Sequence, residues 1–140
     1  MAEFTAIAIQ EIAENQNILF SETPIVPTRG IIHREGSGIV RVSGNGCQGK
    51  SRYLVSYSGN IQIPTGGTVE QISLAIAIDG ESLASTEMIV TPAAVENLFN
   101  VSSQAYIDVS CGCCATISVQ NTSSQAIEAQ NSNLIVVRVA

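Results

Sequence analysis

The side chains best suited to chemistry are four cysteines, Cys47, Cys111, Cys113 and Cys114, three of them packed into a Cys-Gly-Cys-Cys run. Four thiols are enough for a structural zinc site. Such sites, however, usually draw paired ligands spaced by two to four residues from turns. In an extended segment Cys111 and Cys113 point one way and Cys114 the other, which opposes tetrahedral closure. A disulfide is the stronger reading, between Cys47 and Cys113, with Cys111 or Cys114 as alternative partners. It would tie the loop before one strand to the loop before another and stabilise by about 4 kcal/mol if unstrained. Buried thiols acting as small apolar residues are the remaining reading.

The other chemical candidates are weaker. His33 is the sole histidine, so any Ser-His-Asp or Cys-His arrangement must use it, and no nucleophile elbow surrounds a serine or cysteine. It reads instead as a strand or interface residue, with Arg34 and Glu35 as a solvated pair. Asp79 and Glu81 flank Gly80, where aspartate suits turn geometry, and they offer too few oxygens for calcium. Gly44-Asn45-Gly46 and Gly66-Gly67 do not lead from a strand into a helix with a following Lys-Ser/Thr, so they read as turns and not as phosphate loops. No catalytic residue, metal ligand or cofactor site is expected, and the chain is read as non-enzymatic.

The elements that would position these residues are strands. Ser51–Ile63, Glu70–Ile78, Gln104–Ser110, Cys114–Gln120 and Asn133–Val139 alternate apolar with small polar residues, the period of a β-strand with one buried face. Within 52–63, Tyr53, Val55, Tyr57, Ile61 and Ile63 share one face. Further segments are expected at Glu3–Glu11, Ile18–Phe20, Gly30–His33 and Gly38–Val42. The stretch between Pro24 and Pro27 reads as an edge, because proline cannot donate to a ladder. Asp79-Gly80 between two apolar runs is a hairpin signal, and Pro92 after Thr91 predicts one helical turn over 92–98. Nine or ten short strands at regular spacing predict a β-sandwich or jelly roll.

At 140 residues the chain is long enough for a single core. Charged residues make up only 13% and net charge is −6, so no basic stripe exists to grip a phosphate backbone, and direct nucleic-acid binding is not expected. Low charge also suggests that part of the surface is covered by other copies, since permanent interfaces are apolar. Residues 1–12 lack a basic start and a long apolar run, so cytosolic synthesis without a signal peptide is expected. No window reaches the length of a membrane span.

Arg52-Tyr53-Leu54-Val55-Ser56-Tyr57 resembles the Gly-x-Tyr-x-(Val/Phe)-Ser-(Tyr/Phe) strand of the C1q/TNF-like superfamily. Leu74-Ala75-Ile76-Ala77-Ile78-Asp79-Gly80 is similar to its Leu-x-Leu-x-Asn-Gly hairpin, Asp108–Val119 to the approach to a following strand, and Asn133–Val139 to its closing strand. Ser51 replaces the usual glycine, and Cys111–Cys114 stands where the family often has Gly-Asp. The resemblance spans roughly 17–140 and implies an all-β, ten-stranded antiparallel jelly roll that assembles as a homotrimer. On it, Tyr53, Val55, Tyr57, Ile117 and Val119 are trimer-interface or core candidates. Residues 1–16 fall outside it as an N-terminal arm, whose Phe4, Ile7 and Ile9 are candidates for contact with a lattice.

Asn15–Gly38 and Ile89–Val95 resemble small proteins of gut Firmicutes and their phages. The implied role is a structural virion protein, a capsid decoration or head-fibre component seated on a major capsid protein. The alternatives are a spore-surface or appendage subunit and a glycan- or receptor-binding adhesion head of the same fold.

Overall fold

The computed structural model describes residues 1–28, 30–44 and 49–140. Among them the chain forms β1 (Ala2–Ala6), β2 (Gln10–Ile12), β3 (Glu22–Ile25), β4 (Ile31–His33), β5 (Val40–Ser43), β6 (Lys50–Gln62), β7 (Ile72–Ile78), β8 (Glu81–Ser82), β9 (Met88–Val90), β10 (Phe99–Ser110), β11 (Cys114–Asn121) and β12 (Ile127–Arg138). One six-stranded sheet, sheet A, runs β10-β6-β12-β1-β3 with β2 also on β12. The other, sheet B, runs β4-β5-β11-β7-β8 with β9 also on β7. All named pairings are antiparallel. The sheets pack face to face as a jelly-roll sandwich.

The period-two pattern explains the layers. In β6, Tyr53, Val55, Tyr57 and Ile61 lie inside with no exposed surface, while Arg52, Leu54, Ser56, Ser58 and Asn60 face outward. Phe4 of β1, Ile72, Leu74 and Ile76 of β7, Ile117 and Val119 of β11 and Leu134 and Val136 of β12 complete the same core. Burial of these side chains is the main stabilising term, about 1.5–3 kcal/mol for each large one.

Among the described residues there are twelve strands where ten were expected, because two segments read as continuous are interrupted. The opening stretch splits into β1 and β2 around exposed Ile7–Ile9, where the Ile7 carbonyl accepts the Asn131 N–H at 3.1 Å. Asn131 sits at φ 55, in an irregularity of the β12 register. The segment returning from Asp79-Gly80 divides into β8 and β9 around a 3-10 turn, Ala84–Thr86. There the buried Thr86 hydroxyl accepts the Ile76 N–H at 3.0 Å and so takes the place of a ladder bond. The helical turn expected over 92–98 does not form. Glu96 lies at φ 61 and gives its N–H to the Ile63 carbonyl at 2.8 Å, which is incompatible with helical geometry there. Ile18–Phe20 is not a strand either; Asn17 makes a single bridge to Gln120.

Residues 1–16 are not set apart from the sandwich. β1 lies between β12 and β3, and Phe4 is wholly buried, so it has no surface for a lattice contact. Ile7 and Ile9 remain exposed, at 57% and 47%. β3 is an edge strand, where Pro24 is tolerated. Asp79 and Gly80 both take positive φ, 54 and 84, as a two-residue hairpin turn requires.

Candidate assembly surface

The residues singled out for chemistry do not converge. Cys47 lies outside the described residues, so its pairing with Cys113, Cys111 or Cys114 does too. Cys113 and Cys114 are exposed free thiols, and Cys111 is half-buried. Among the described residues no three His, Cys, Asp or Glu side chains gather as a metal site. His33 packs against Phe4 with the rings tilted by 47° and their centroids 4.5 Å apart, and its Nε2 lies 2.9 Å from the Ser37 carbonyl, the position of a proton donor. Asp79 accepts the Thr116 N–H at 2.9 Å and ties the hairpin turn to β11. Both residues serve the fold.

Tyr53, Val55, Tyr57, Ile117 and Val119 lie in the interior of a single copy, with no exposed surface. The Tyr53 hydroxyl donates to the Ser43 carbonyl at 2.6 Å, and the Tyr57 hydroxyl meets Ser132 Oγ at 3.0 Å. Burial pushes the Tyr57 phenol up to about 12, against a smaller opposing effect of the Ser132 bond. Burial also raises the Tyr53 phenol, opposed by Arg138 and by the bond to Ser43.

What sheet A turns outward is a different set, arranged in rows by the strand register. Asp108 pairs with Arg52. Next, Tyr106 pairs with Leu54, which pairs with Val137. The row after that is Gln104, Ser56, Ile135, Glu3 and Ile25, followed by Ser102, Ser58, Asn133 and Thr5. At the far end, Asn100 Nδ2 donates to Asn60 Oδ1 at 3.2 Å and Asn60 Nδ2 to Asn131 Oδ1 at 3.1 Å. The row Tyr106–Leu54–Val137 is therefore apolar and lies beside the Arg52–Asp108 pair, while the rows beyond it mix neutral polar side chains with Glu3, Ile135 and Ile25.

The end that carries the Tyr106 row also holds a charged pair and a cleft. Tyr106 is 68% exposed and Val139 47%, while Leu54 and Val137 are half-buried. Arg52 grips Asp108 with two donors, Nε at 2.7 Å and Nη2 at 3.0 Å. That bond and the nearby charge raise the guanidinium and hold the Asp108 carboxyl below its usual range, the hydrogen bond being the largest cause in each case. The last residues dock beside this pair, since Val139 N–H donates to the Arg52 carbonyl at 2.8 Å. Arg52, Tyr106, Asp108, Val139 and Ala140 line a cleft of about 520 Å³. Ser56, Ser102, Ser103 and Gln104 line a second of about 420 Å³.

Tyr106 and Leu54 are the surface residues that sequence reasoning passed over. A signal existed: Tyr106 shares its alternation phase with Gln104 and Asp108, which makes it an aromatic on the wetted face of its strand.

No protein-family model matches this chain, and no curated protein does. Solved structures do. The Eiger TNF of S. frugiperda superimposes with a TM-score of 0.73 at 14% identity, covering 99% of this chain and 91% of that one. Murine APRIL gives 0.66 at 15% identity, covering 99% and 98%. The globular domain of zebrafish complement 1qA protein gives 0.60 at 9% identity, covering 96% and 94%. The chain is thus an antiparallel β-sandwich of the C1q/TNF-like jelly-roll fold.

Proposed function

We propose that this chain is a non-enzymatic assembly module that forms homotrimers through the outward face of sheet A. The observation that carries this reading is the row Tyr106–Leu54–Val137 on the three adjacent strands β10, β6 and β12, with Val139 beside it. Such a row gains from contact with another apolar surface. Two further features support it. β10 is a twelve-residue strand paired only with β6 among the described residues, and a long sheet edge is normally covered. Charged residues are scarce, as at permanent interfaces.

The particle we assign to this module is a tailed-phage virion, where the trimer serves as a capsid decoration or head-fibre element. The resemblance of 15–38 and 89–95 to phage and gut Firmicutes proteins supports it. Exposed Ile7 and Ile9 are the surviving candidates for contact with the capsid lattice.

Light scattering tests the assembly: three times the chain mass is expected, and a monomer at micromolar concentration would overturn it. Mass spectrometry of purified particles tests the site of action. Recovery with spores or appendages instead of virions would move the module to that surface, and glycan-array binding would favour an adhesion head.

A further inference from the structure

Sheet B carries a second arrangement on the face turned away from the assembly surface. Cys114 pairs with Ser43 and Thr116 with Arg41, so Cys114 and Arg41 are diagonal neighbours on adjacent strands. Arg41 Nη2 donates to Cys114 Sγ at 3.3 Å, and both residues are exposed. No carboxylate forms an ion pair with Arg41 among the described residues. Cys113, the preceding residue, is an exposed free thiol as well. Its backbone is held at both ends, the N–H by the Ser110 carbonyl at 3.0 Å and the carbonyl by the Gly44 N–H at 2.9 Å. Two neighbouring thiols therefore share similar access, but only Cys114 has a guanidinium N–H on its sulfur among the described residues.

That difference selects between them. The attacking species in disulfide exchange is the negatively charged sulfur, so reactivity concentrates where a thiol is both exposed and beside a cation. We propose that Cys114, with Arg41 against it, is a thiol–disulfide exchange site that takes up low-molecular-weight disulfides. In the step, Cys114 loses its proton to solvent and its sulfur attacks one sulfur of the reagent R–S–S–R. The reagent's S–S bond breaks, a Cys114–S–S–R bond forms, and R–S⁻ leaves and takes up a proton. Cys114 is oxidised to the disulfide level and half of the reagent is reduced, so no other oxidant is required. The site lies on the opposite sheet from the assembly face and does not depend on the trimer.

The test uses the whole chain with hydroxyethyl disulfide, a neutral probe, followed by intact mass and peptide mapping. The first adduct is expected on Cys114. Cys114→Ser should abolish the fast phase and Cys113→Ser should keep it. Arg41→Gln should slow it by about two- to fivefold, the factor an exposed charge interaction is worth. Added salt should slow the unsubstituted chain relative to Arg41→Gln, because only the former has the Arg41 attraction to lose by screening. A first adduct on any other cysteine, or an Arg41→Gln rate equal to that of the unsubstituted chain, would overturn the assignment. Thermal unfolding of each variant separates loss of fold from loss of reactivity.

Discussion

The Tyr57 hydroxyl and Ser132 Oγ meet at 3.0 Å inside the sandwich, joining β6 to the irregular stretch of β12 across 75 residues of chain. Both residues are buried, at 0% and 1% exposure, so neither can exchange this bond for water. Tyr57→Phe leaves the serine hydroxyl without its partner and is expected to cost about 1–3 kcal/mol. Tyr57→Phe combined with Ser132→Ala should cost less than the two single losses summed. Urea unfolding of the four chains gives the coupling directly.

The same phenol predicts alkaline sensitivity. Its ordinary value is 10.0, and burial holds it at about 12 in the folded chain. The folded state therefore keeps a proton that the unfolded state loses. Stability from this group is complete below pH 10 and declines as pH rises from 10 towards 12. Tyr57→Phe should flatten part of that decline in urea midpoints; the part due to Tyr53, also raised, should persist. An unchanged alkaline slope in Tyr57→Phe would contradict this account.

Gly59 tests the packing around that bond. It faces inward, and a Cβ there would strike the Tyr57 hydroxyl and crowd the Ser132 backbone. Gly59→Ala is expected to lower stability by about 1–3 kcal/mol, as over-packing does in a dense core. Calorimetry should show a clear fall in midpoint. In contrast, Gly66→Ala meets no neighbour, and its loss comes only from φ 87.

Leu54 and Val55 are consecutive but face opposite ways, which separates assembly from folding. Leu54→Asp should yield a folded monomer with unchanged far-ultraviolet circular dichroism. Val55→Asp should unfold the chain, since it places an unpaired charge in the core. Equal behaviour of the two variants in light scattering and dichroism would contradict the two-faced reading of β6.

The Arg52–Asp108 pair makes a more local prediction. Both groups are exposed, so Arg52→Gln should leave thermal stability nearly unchanged. It should still return the Asp108 carboxyl upward towards its ordinary range, visible in an NMR titration. The small stabilisation from this pair is present above the ordinary aspartate value and lost as pH falls through the lower folded one.

Much of the architecture is readable from local pattern. The alternation in 51–63, the Asp79-Gly80 turn and the prolines bracketing Ile25 depend on neighbours in sequence, and each appears in the structure as strand, hairpin and edge. The interruptions were not readable. Thr86 substituting for a ladder bond depends on Ile76, and the break at Ile7–Ile9 on Asn131, partners that lie outside any sequence window.

By itself the sequence determined that the chain alternates, turns and buries Tyr53, Val55 and Tyr57 together, because side-chain direction in a strand follows a period of two. Only the tertiary structure decided that this face closes inside one copy and leaves Leu54, Tyr106 and Val137 outward. It also placed β1 between β12 and β3 and brought Arg41 onto Cys114. Those outcomes depend on which distant strands pair and in what register, and that choice belongs to the packed sheets as a whole, not to any one strand.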